Sequence, residues 1–394
     1  MTARSLDQAY VMTTYRHKPV CFVSGSGTTL VDENGKPYHD LLSGLAVCGL
    51  GHAHPAVTAR IAEQAARLTH VSNLFLNEWQ PQLAERLTHL SGMERVFFCN
   101  SGAEAIECAL KLARKRGHAR GIAAPVVVTL EGAFHGRTFG ALAATPNPAY
   151  QTSFAPMLPG FRVVPHGDLQ ALAAALTPDV CAVLLEPIQG ESGVHPLSES
   201  YLRGVRALCD AHEILLMVDE IQCGMFRTGK FLASQHAGIV PDVVTLAKAL
   251  ANGLPIGACL ARGVAAEVLQ PGDHGSTFGG SPLVSSVALT VLELTEPLAG
   301  RVTEIGDWFA EALRAIPGVT EVRGKGLMLG VELAQPVAKT ALASLLDAGY
   351  VINAVGDTTL RLLPPLIIER AICELFVTTL ETTLAQLSQA EVTA

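Results

Sequence analysis

The chain has 394 residues, of which 49% are hydrophobic and 16% are charged, and its formal net charge is −8. That length predicts two domains, or one large domain with a smaller one attached, and there are enough apolar residues for a large core. An acidic chain whose longest basic run is 114–116 is not expected to bind nucleic acid or an anionic membrane.

The cysteines and the N-terminal stretch indicate a reducing compartment. The nine cysteines are scattered and form no C-x-x-C pair, so they predict neither a disulfide framework nor a zinc site. Residues 1–15 lack the apolar core of a signal peptide, and no segment approaches the length of a charge-free membrane span. We therefore expect a cytoplasmic protein that does not span a membrane.

The first predicted elements are a hairpin and two helices. Strand-like residues 28–31 and 37–40 flank an Asn-Gly pair at 34–35, which suits a tight hairpin turn. Two amphipathic patterns follow, and they predict helices over Ala56–Leu68 and Gln80–Leu90.

Five short apolar runs then alternate with helical stretches. They are Val96–Cys99, Val126–Leu130, Val180–Leu185, Ile214–Val218 and Val243–Leu246. Such runs are typical of strands in a parallel sheet that is covered on both faces, and ligands of these sheets bind beyond the carboxyl ends of the strands. The residues after the runs are therefore expected to converge on one site: Asn100-Ser101-Gly102, Glu131-Gly132, Glu186, Asp219 and Lys248.

After about Ser285 the pattern changes to that of a smaller α/β domain. The predicted elements are long helices to about Ile316, a strand over Leu327–Leu333, a helix over Val337–Leu346, short strands near Val351 and Leu360, and a closing helix over Glu369–Leu387. We expect a large domain over 51–285 and a small domain over 286–394. Residues 1–50 are expected to pack with the small domain.

The helix that starts at Ser101 has two interpretations. Ser101 followed by Glu104 is a capping-box pattern, which describes an ordinary well-capped helix. The same start leaves the N–H groups of Gly102 and Ala103 able to hold a phosphate, because glycine permits close approach and the helix dipole favours an anion. The pattern alone leaves both interpretations open.

Asp219 and Lys248 follow two of the apolar runs and suit either a buried ion pair or a reactive pair. Buried ion pairs contribute little to stability, because desolvation offsets their attraction. A desolvated lysine has a lowered pKa and can act as a nucleophilic amine that forms an imine. A carboxylate that faces a pyridine nitrogen keeps that nitrogen protonated, so the ring withdraws electrons. The pair therefore favours a cofactor site of this kind.

Six motifs in order resemble the class III (subgroup II) aminotransferases, which are pyridoxal-5'-phosphate (PLP) enzymes of fold type I. The motifs are NSGAEA, GAFHGRTFGALAAT, EPIQGESGV, VDEIQCGMFRTGKF, PDVVTLAKALANGLPIGA and HGSTFGGSPL. Further stretches most resemble bacterial acetylornithine aminotransferases: MTTYRHKPV, LLSGLAVCGLGHAHPAV, HVSNLF, FFCNSGAEA and RLLPPLII. The similarity covers essentially the whole chain. It implies an α/β large domain with a mostly parallel central sheet, plus a smaller α/β domain.

The resemblance implies roles for the residues around the cofactor ring. Lys248 would hold PLP as a Schiff base and, once released, would carry the proton between the reacting carbons. Asp219 would pair with the pyridine nitrogen. Phe134 and Ile221 would lie on the two faces of the ring, and Gln222 would lie near its phenolic oxygen.

The resemblance also implies how the phosphate is held. Gly102 and Ala103 would donate backbone N–H groups to it, and Ser101 and Glu186 would complete the cofactor-binding set. Thr277 would reach the phosphate of the neighbouring subunit's cofactor, which implies a homodimer with shared active sites.

Three charged residues are implied to bind the amino acid and 2-oxo acid substrates. Arg137 would bind the carboxylate far from the reacting amine, and Arg361 would bind the α-carboxylate of glutamate. Glu191 would neutralise Arg361 when the other substrate has no carboxylate beside its amine, since an unpaired buried arginine is costly. A permanent structural ion pair is the alternative for Glu191. Tyr15 aligns with a substrate-contacting tyrosine of ornithine aminotransferases, or is simply a rim aromatic.

The chain departs from the family pattern at several positions. Ile106 and Ser281 stand where Asn is usual, and Phe226 stands where Gly is common. None of these belongs to the expected cofactor set, although Phe226 and Ser281 bear on active-site shape and dimer packing. Leu45 replaces a tyrosine of ornithine aminotransferases, which favours an acylated ornithine.

The histidines do not predict a metal site. His52, His54 and His135 have no carboxylate or thiolate ligands at metal-binding spacing, so we interpret them as turn, core or cofactor-shell residues. Gly25-Ser26-Gly27 is interpreted as a turn, because no GxGxxG pattern accompanies it.

The resemblance implies transfer of the terminal amine of N-acetylornithine to 2-oxoglutarate, a step of arginine biosynthesis that yields N-acetylglutamate 5-semialdehyde and glutamate. Related substrates are alternatives: succinylornithine, succinyl-diaminopimelate, ornithine or 4-aminobutyrate. A PLP mutase or racemase is disfavoured by the two arginines. A non-enzymatic PLP-binding protein is disfavoured because Lys248 and Asp219 are both present.

Overall fold

The computed structural model describes residues 2–392. In chain order its strands are β1 (Phe22–Ser26), β2 (Thr29–Asp32), β3 (Pro37–Asp40), β4 (Arg95–Cys99), β5 (Val126–Leu130), β6 (Phe161–Val164), β7 (Val180–Leu185), β8 (Ile188–Gln189), β9 (His195–Pro196), β10 (Leu215–Asp219), β11 (Val243–Leu246), β12 (Gly257–Ala261), β13 (Val319–Lys325), β14 (Met328–Leu333), β15 (Tyr350–Val351), β16 (Asn353–Val355) and β17 (Thr359–Leu362). The helices are α1 (Ala3–Tyr10), α2 (Ser43–Ala46), α3 (Pro55–Arg67), α4 (Trp79–Ser91), α5 (Gly102–Ala119), α6 (Phe139–Ala143), α7 (Pro148–Gln151), α8 (Leu169–Ala175), α9 (Glu199–Ala211), α10 (Pro282–Thr295), α11 (Ala299–Arg314), α12 (Ala338–Asp347) and α13 (Arg370–Val392).

Seven strands form the central sheet in the order β4-β12-β11-β10-β7-β5-β6. All run parallel except β12, which pairs antiparallel with both β4 and β11. The five apolar runs of the sequence are β4, β5, β7, β10 and β11, so the predicted mostly parallel α/β sheet is confirmed. The sequence did not predict β6 or β12. Strand β12 is buried throughout, but its residues GACLA lack the β-branched and aromatic side chains that favour strands.

Both faces of the central sheet are covered, which explains why its strands are apolar throughout. Leu215 packs with Ile106 of α5 on one face. The next residue, Leu216, packs with Val205 of α9 on the other face. Successive strand residues therefore both enter a core, and burying each such side chain contributes about 1.5–3 kcal/mol.

The N-terminal hairpin pairs with a strand from the C-terminal region. Strands β2 and β3 form the predicted antiparallel hairpin around Gly35, whose φ of 83° favours glycine. Strand β15 then pairs parallel with β3, in a sheet ordered β1-β2-β3-β15. This pairing supports the placement of residues 1–50 with the small domain, and the exact domain limits stay a prediction.

A second sheet, ordered β13-β14-β17-β16, is antiparallel and belongs to the C-terminal region. The sequence predicted β14, β15 and β17 but not β13. The expected boundary at residue 285 falls inside α10, which packs against α3 and α4 of the preceding region.

One helical stretch of residues 2–392, Pro282–Arg314, is long and apolar enough to cross a membrane by length and composition, with a mean hydropathy of 1.3. The sequence did not suggest such a span. Of its most apolar part 44% is buried inside the protein, and the core helix of a folded protein passes the same test.

Candidate active site

A cavity of about 410 Å³ lies at the carboxyl ends of the parallel strands. Eleven residues singled out in the sequence line it: Ser101, Gly102, Ala103, Phe134, Arg137, Glu186, Glu191, Asp219, Ile221, Gln222 and Lys248. Arg361 contacts one of these residues from outside the lining. The structure therefore brings together the residues expected at the strand ends.

Lys248 follows β11, and its backbone is strained. Its φ of 45° lies in the left-handed region, where a residue with a side chain is disfavoured. Burial is the largest influence on its amine and lowers the pKa below the ordinary value, whereas the nearby carboxylates of Glu191 and Asp219 act in the opposite direction. Strain at a partly buried lysine in a cavity is typical of a functional position.

Asp219, at the end of β10, does not form an ion pair with Lys248. Its Oδ2 atom lies 2.8 Å from Nδ1 of His135, and both side chains are buried. Its Oδ1 atom accepts hydrogen bonds from the Ile221 N–H at 3.1 Å and the Thr245 hydroxyl at 3.3 Å. The buried ion pair that the sequence left open is therefore absent, and the carboxylate is held by three other groups.

His135 is a site residue whose contact the sequence did not predict. Its N–H donates to Thr145 Oγ1 at 2.9 Å, and its Nε2 atom is buried with no hydrogen-bond partner in the described chain. The residue lies in the motif Phe134-His135-Gly136-Arg137, so its position was the available signal.

Helix α5 begins at the cavity with the predicted capping box. The Glu104 N–H donates to Ser101 Oγ at 3.2 Å, and the Glu104 carboxylate accepts the Asn100 N–H at 2.6 Å. The N–H groups of Gly102 and Ala103, in the first turn, have no acceptor within the helix. A Cβ atom at Gly102 would lie 2.8 Å from Cδ1 of Ile221, so glycine is needed there.

Glu186 and Gln222 line the middle of the cavity. Glu186 accepts the Phe134 N–H at 2.9 Å, and burial raises the pKa of its carboxyl above the ordinary value. Gln222 donates from Nε2 to Glu191 at 3.2 Å. The Gln222 Oε1 atom is buried and finds no partner within residues 2–392.

Arg361 and Glu191 form an ion pair between β17 and the segment after β8. Arg361 Nη1 lies 2.7 Å from Glu191 Oε1 and 2.9 Å from the carbonyl of Gly190. The arginine side chain is 1% exposed and the glutamate side chain is 32% exposed. Burial acts to raise the pKa of Glu191, but the charge and hydrogen bond of Arg361 outweigh it, so the pKa lies below its ordinary value.

Arg137 is exposed, and in the described part of the chain it has no carboxylate partner. Its guanidinium carbon lies 3.6 Å from the ring centroid of Tyr150. Arg137 and Tyr15 also line a neighbouring cavity of about 420 Å³ together with Thr14, Phe139, Leu142 and Phe154. The sequence predicted Arg137 and Tyr15, but it did not predict the other aromatic residues.

Thr277 does not line the cavity. It is exposed, close to His70 and Asn73. Ile106, Phe226 and Ser281, the departures from the family pattern, do not line the cavity either. Phe226 has a φ of 65°, a conformation that favours glycine, and its buried ring packs 5.4 Å from Phe231.

The fold and the site define the class of the protein. A family model for aminotransferase class III matches residues 10–384, and the chain belongs to that family. The chain is an aminotransferase with the α/β fold of that class.

Individual relatives are similar over nearly their whole length. The acetylornithine aminotransferase of Nitrosomonas europaea is 47% identical over 378 residues, which cover 94% of this chain and 96% of the relative. The crystal structure of N-acetylornithine aminotransferase from Stenotrophomonas maltophilia K279a matches with a TM-score of 0.84 and 37% identity, over 98% of this chain and 99% of that one. An ornithine aminotransferase structure from Toxoplasma gondii, with partial occupancy of PLP at its active site, matches with a TM-score of 0.94 and 34% identity, over 98% and 94% of the two chains.

Proposed function

We propose that this aminotransferase binds PLP and transfers the terminal amine of N-acetylornithine to 2-oxoglutarate, giving N-acetylglutamate 5-semialdehyde and glutamate. The observation that carries the proposal is the cavity in which Lys248, Asp219 and the start of α5 meet. The identity to the N. europaea acetylornithine aminotransferase supports the choice of substrate. The nine cysteines are all free thiols, which supports a cytoplasmic location.

The residues present fit each part of PLP. The free N–H groups of Gly102 and Ala103 suit the phosphate, which the positive end of the α5 dipole also favours. Phe134 and Ile221 supply apolar walls for the ring. The unpartnered Oε1 atom of Gln222 leaves that amide with hydrogen-bonding capacity for a polar ligand atom.

The chemistry follows from the states of two side chains. When bound, PLP supplies a ring that accepts the electrons released when a bond to the amino carbon breaks. Burial lowers the pKa of Lys248, so more of its amine is uncharged and able to attach the cofactor or to accept the substrate proton. Asp219, held by His135 and the Ile221 N–H, is positioned to keep the pyridine nitrogen protonated.

The two arginines address the two ends of the substrates. Arg137 would bind the α-carboxylate of N-acetylornithine or the side-chain carboxylate of glutamate, because both lie far from the reacting amine. Arg361 would bind the α-carboxylate of glutamate. With N-acetylornithine bound, Arg361 keeps its partner Glu191. Tyr15 and the second cavity beside Arg137 have room for the acyl group.

Lys248→Ala tests the cofactor assignment. The purified variant is expected to lack the visible absorbance band of covalently attached PLP and to lose transamination. Lys339→Ala is the matched control, since Lys339 lies on the surface and pairs with Asp357. If the band survived in Lys248→Ala, the assignment of Lys248 would be wrong.

The substrate is tested with the wild-type enzyme, because related amines differ in the acyl group and in the carboxylate. Steady-state rates with 2-oxoglutarate are compared for N-acetylornithine, succinylornithine, succinyl-diaminopimelate, ornithine and 4-aminobutyrate. N-acetylornithine is expected to give the highest kcat/KM. A higher kcat/KM with free ornithine would contradict the proposed substrate.

We also propose that the active unit is a homodimer in which Thr277 reaches the partner's cofactor phosphate. Thr277 lies next to Phe278, which is strongly exposed, and the segment Leu74-Phe75-Leu76 nearby is exposed as well. Exposed apolar side chains in one region are typical of an interface. A monomer in sedimentation equilibrium at assay concentration would contradict this proposal.

A further inference from the structure

The surroundings of Arg137 differ from those of a typical surface arginine. Its guanidinium carbon lies 3.6 Å from the ring centroid of Tyr150 and 5.7 Å from that of Phe134. Within residues 2–392 no carboxylate pairs with it. Aromatic rings, and not an anion, therefore hold this charge at the edge of the cavity.

The contact with Tyr150 leaves the hydrogen-bonding capacity of Arg137 unused. A separation of 3.6 Å is the contact distance of carbon atoms, so the guanidinium lies against the face of the ring. The N–H donors of a guanidinium radiate in its own plane, and a contact through the flat face uses none of them. The ring thus limits the orientation of Arg137 while its donors remain free for a carboxylate.

Tyr150 is itself fixed by the short helix α7. The side chain of Asn147 caps this helix by accepting the Ala149 N–H at 3.0 Å, and the Tyr150 N–H donates to the Asn147 carbonyl at 3.0 Å. The next residue, Gln151, donates from Nε2 to the carbonyls of Leu142 at 3.0 Å and Thr145 at 2.8 Å.

The segment that holds Tyr150 also holds the rest of the site. Thr145 accepts the His135 N–H at 2.9 Å, and His135 contacts Asp219. The ring of Tyr150 meets that of Phe134 edge to face, with centroids 6.4 Å apart and an interplanar angle of 88°. Tyr150 therefore has a defined position relative to both the expected cofactor wall and Arg137.

We propose that Tyr150 is a positioning residue that orients Arg137 toward the far carboxylate of the substrate. The proposal rests on the proposed function, because Arg137 needs a carboxylated substrate. Tyr150 touches neither the reacting amine nor the cofactor in this role, and it acts through Arg137. Its removal should therefore weaken the binding of carboxylated substrates and spare those that lack the far carboxylate.

The test compares two amines in the holoenzyme. N-acetylornithine carries the far carboxylate, and N-acetylputrescine is the same molecule without it. For Tyr150→Leu, the KM for N-acetylornithine is expected to rise roughly tenfold, in the range of a cation–π contact, with kcat changed less than about twofold. The kcat/KM for N-acetylputrescine is expected to stay within about twofold of wild type.

Two further variants separate positioning from a general loss of structure. Tyr150→Phe keeps the aromatic face and is expected to restore the KM for N-acetylornithine. In an Arg137→Ala background, Tyr150→Leu is expected to cause little further loss, because the two residues act on one interaction. The visible band of bound PLP is expected to persist in every variant.

Equal losses for the two amines, additive effects in the double variant, or an unchanged KM in Tyr150→Leu would each overturn the proposal. These outcomes differ from a failure of the proposed function. In that case the wild-type enzyme itself would show no preference for N-acetylornithine over N-acetylputrescine.

Discussion

Arg361 and Arg137 lie in contrasting surroundings, although both are proposed to bind a substrate carboxylate. Arg361 is 1% exposed and is held by Glu191 and by the Gly190 carbonyl. Arg137 is exposed, rests on Tyr150, and has no carboxylate partner in the described structure. One arginine thus has an internal anion that a ligand must displace, and the other is open to any ligand.

The contrast matches what the two proposed substrates present. N-acetylornithine and glutamate both have a carboxylate far from the reacting amine, so the arginine at that end needs no substitute anion. Only glutamate has a carboxylate beside its amine. A buried arginine left unpaired in the other half-reaction would carry a large desolvation cost, which the Glu191 pair avoids.

The largest expected effect comes from removing each arginine in turn. Arg361→Ala is expected to lower kcat/KM for the glutamate half-reaction about 100-fold or more, because two charge-assisted hydrogen bonds of roughly 1.5 kcal/mol each are lost. The N-acetylornithine half-reaction should fall less than about tenfold. Arg137→Ala should lower both half-reactions.

Single-turnover spectroscopy of the bound cofactor measures each half-reaction separately. The two variants serve as controls for each other, since both remove one arginine from the same site. If Arg361→Ala slowed both half-reactions equally, the division of labour between the arginines would be wrong.

Glu191→Gln tests whether the ion pair is a switch or a permanent structural contact. Without the competing carboxylate, Arg361 is free for glutamate, whose KM is expected to fall by about fivefold, while kcat/KM for N-acetylornithine falls by about tenfold. Glu332→Gln is the matched control, because Glu332 pairs with Arg323 at 2.8 Å away from the cavity. Opposite changes for the two substrates support a switch. A loss for both would indicate a permanent structural pair.

The sequence predicted the parts of the fold that have a clear local pattern. The buried parallel strands are continuous apolar runs because both faces of the sheet are covered, and the hairpin has an Asn-Gly turn. Strand β12 escaped prediction because its small residues owe their extended conformation to pairing with β4 and β11. Likewise β13 is half-exposed and carries little apolar signal.

The candidate site shows the same limit. The residues that end the strands were predicted as one site, since parallel strands bring their carboxyl ends to one edge. The contact of His135 with Asp219 and that of Tyr150 with Arg137 depend on how loops fold back over that edge. No local periodicity reports such contacts, so they became visible only in three dimensions.

The smallest expected effect concerns stability in acid, and it separates the two arginines once more. The pKa of Glu191 lies below its ordinary value of 4.5 in the folded chain, because the attraction of Arg361 outweighs burial. A carboxyl with a lower pKa in the folded state binds fewer protons there, so its contribution to stability is present above pH 4.5 and is lost as the pH falls through the folded value. The destabilisation caused by Glu191→Gln should therefore shrink in acid.

Urea unfolding at several pH values between about 7 and about 3.5 measures this effect, with every protein in the same cofactor state. The difference in the free energy of unfolding between wild type and Glu191→Gln should narrow toward the acid end. Arg137 has no carboxylate partner, so the difference for Arg137→Ala should stay constant over the same range. A constant difference for Glu191→Gln would show that its charge does not stabilise the fold through Arg361, and the contrast between the two arginines would then rest on substrate binding alone.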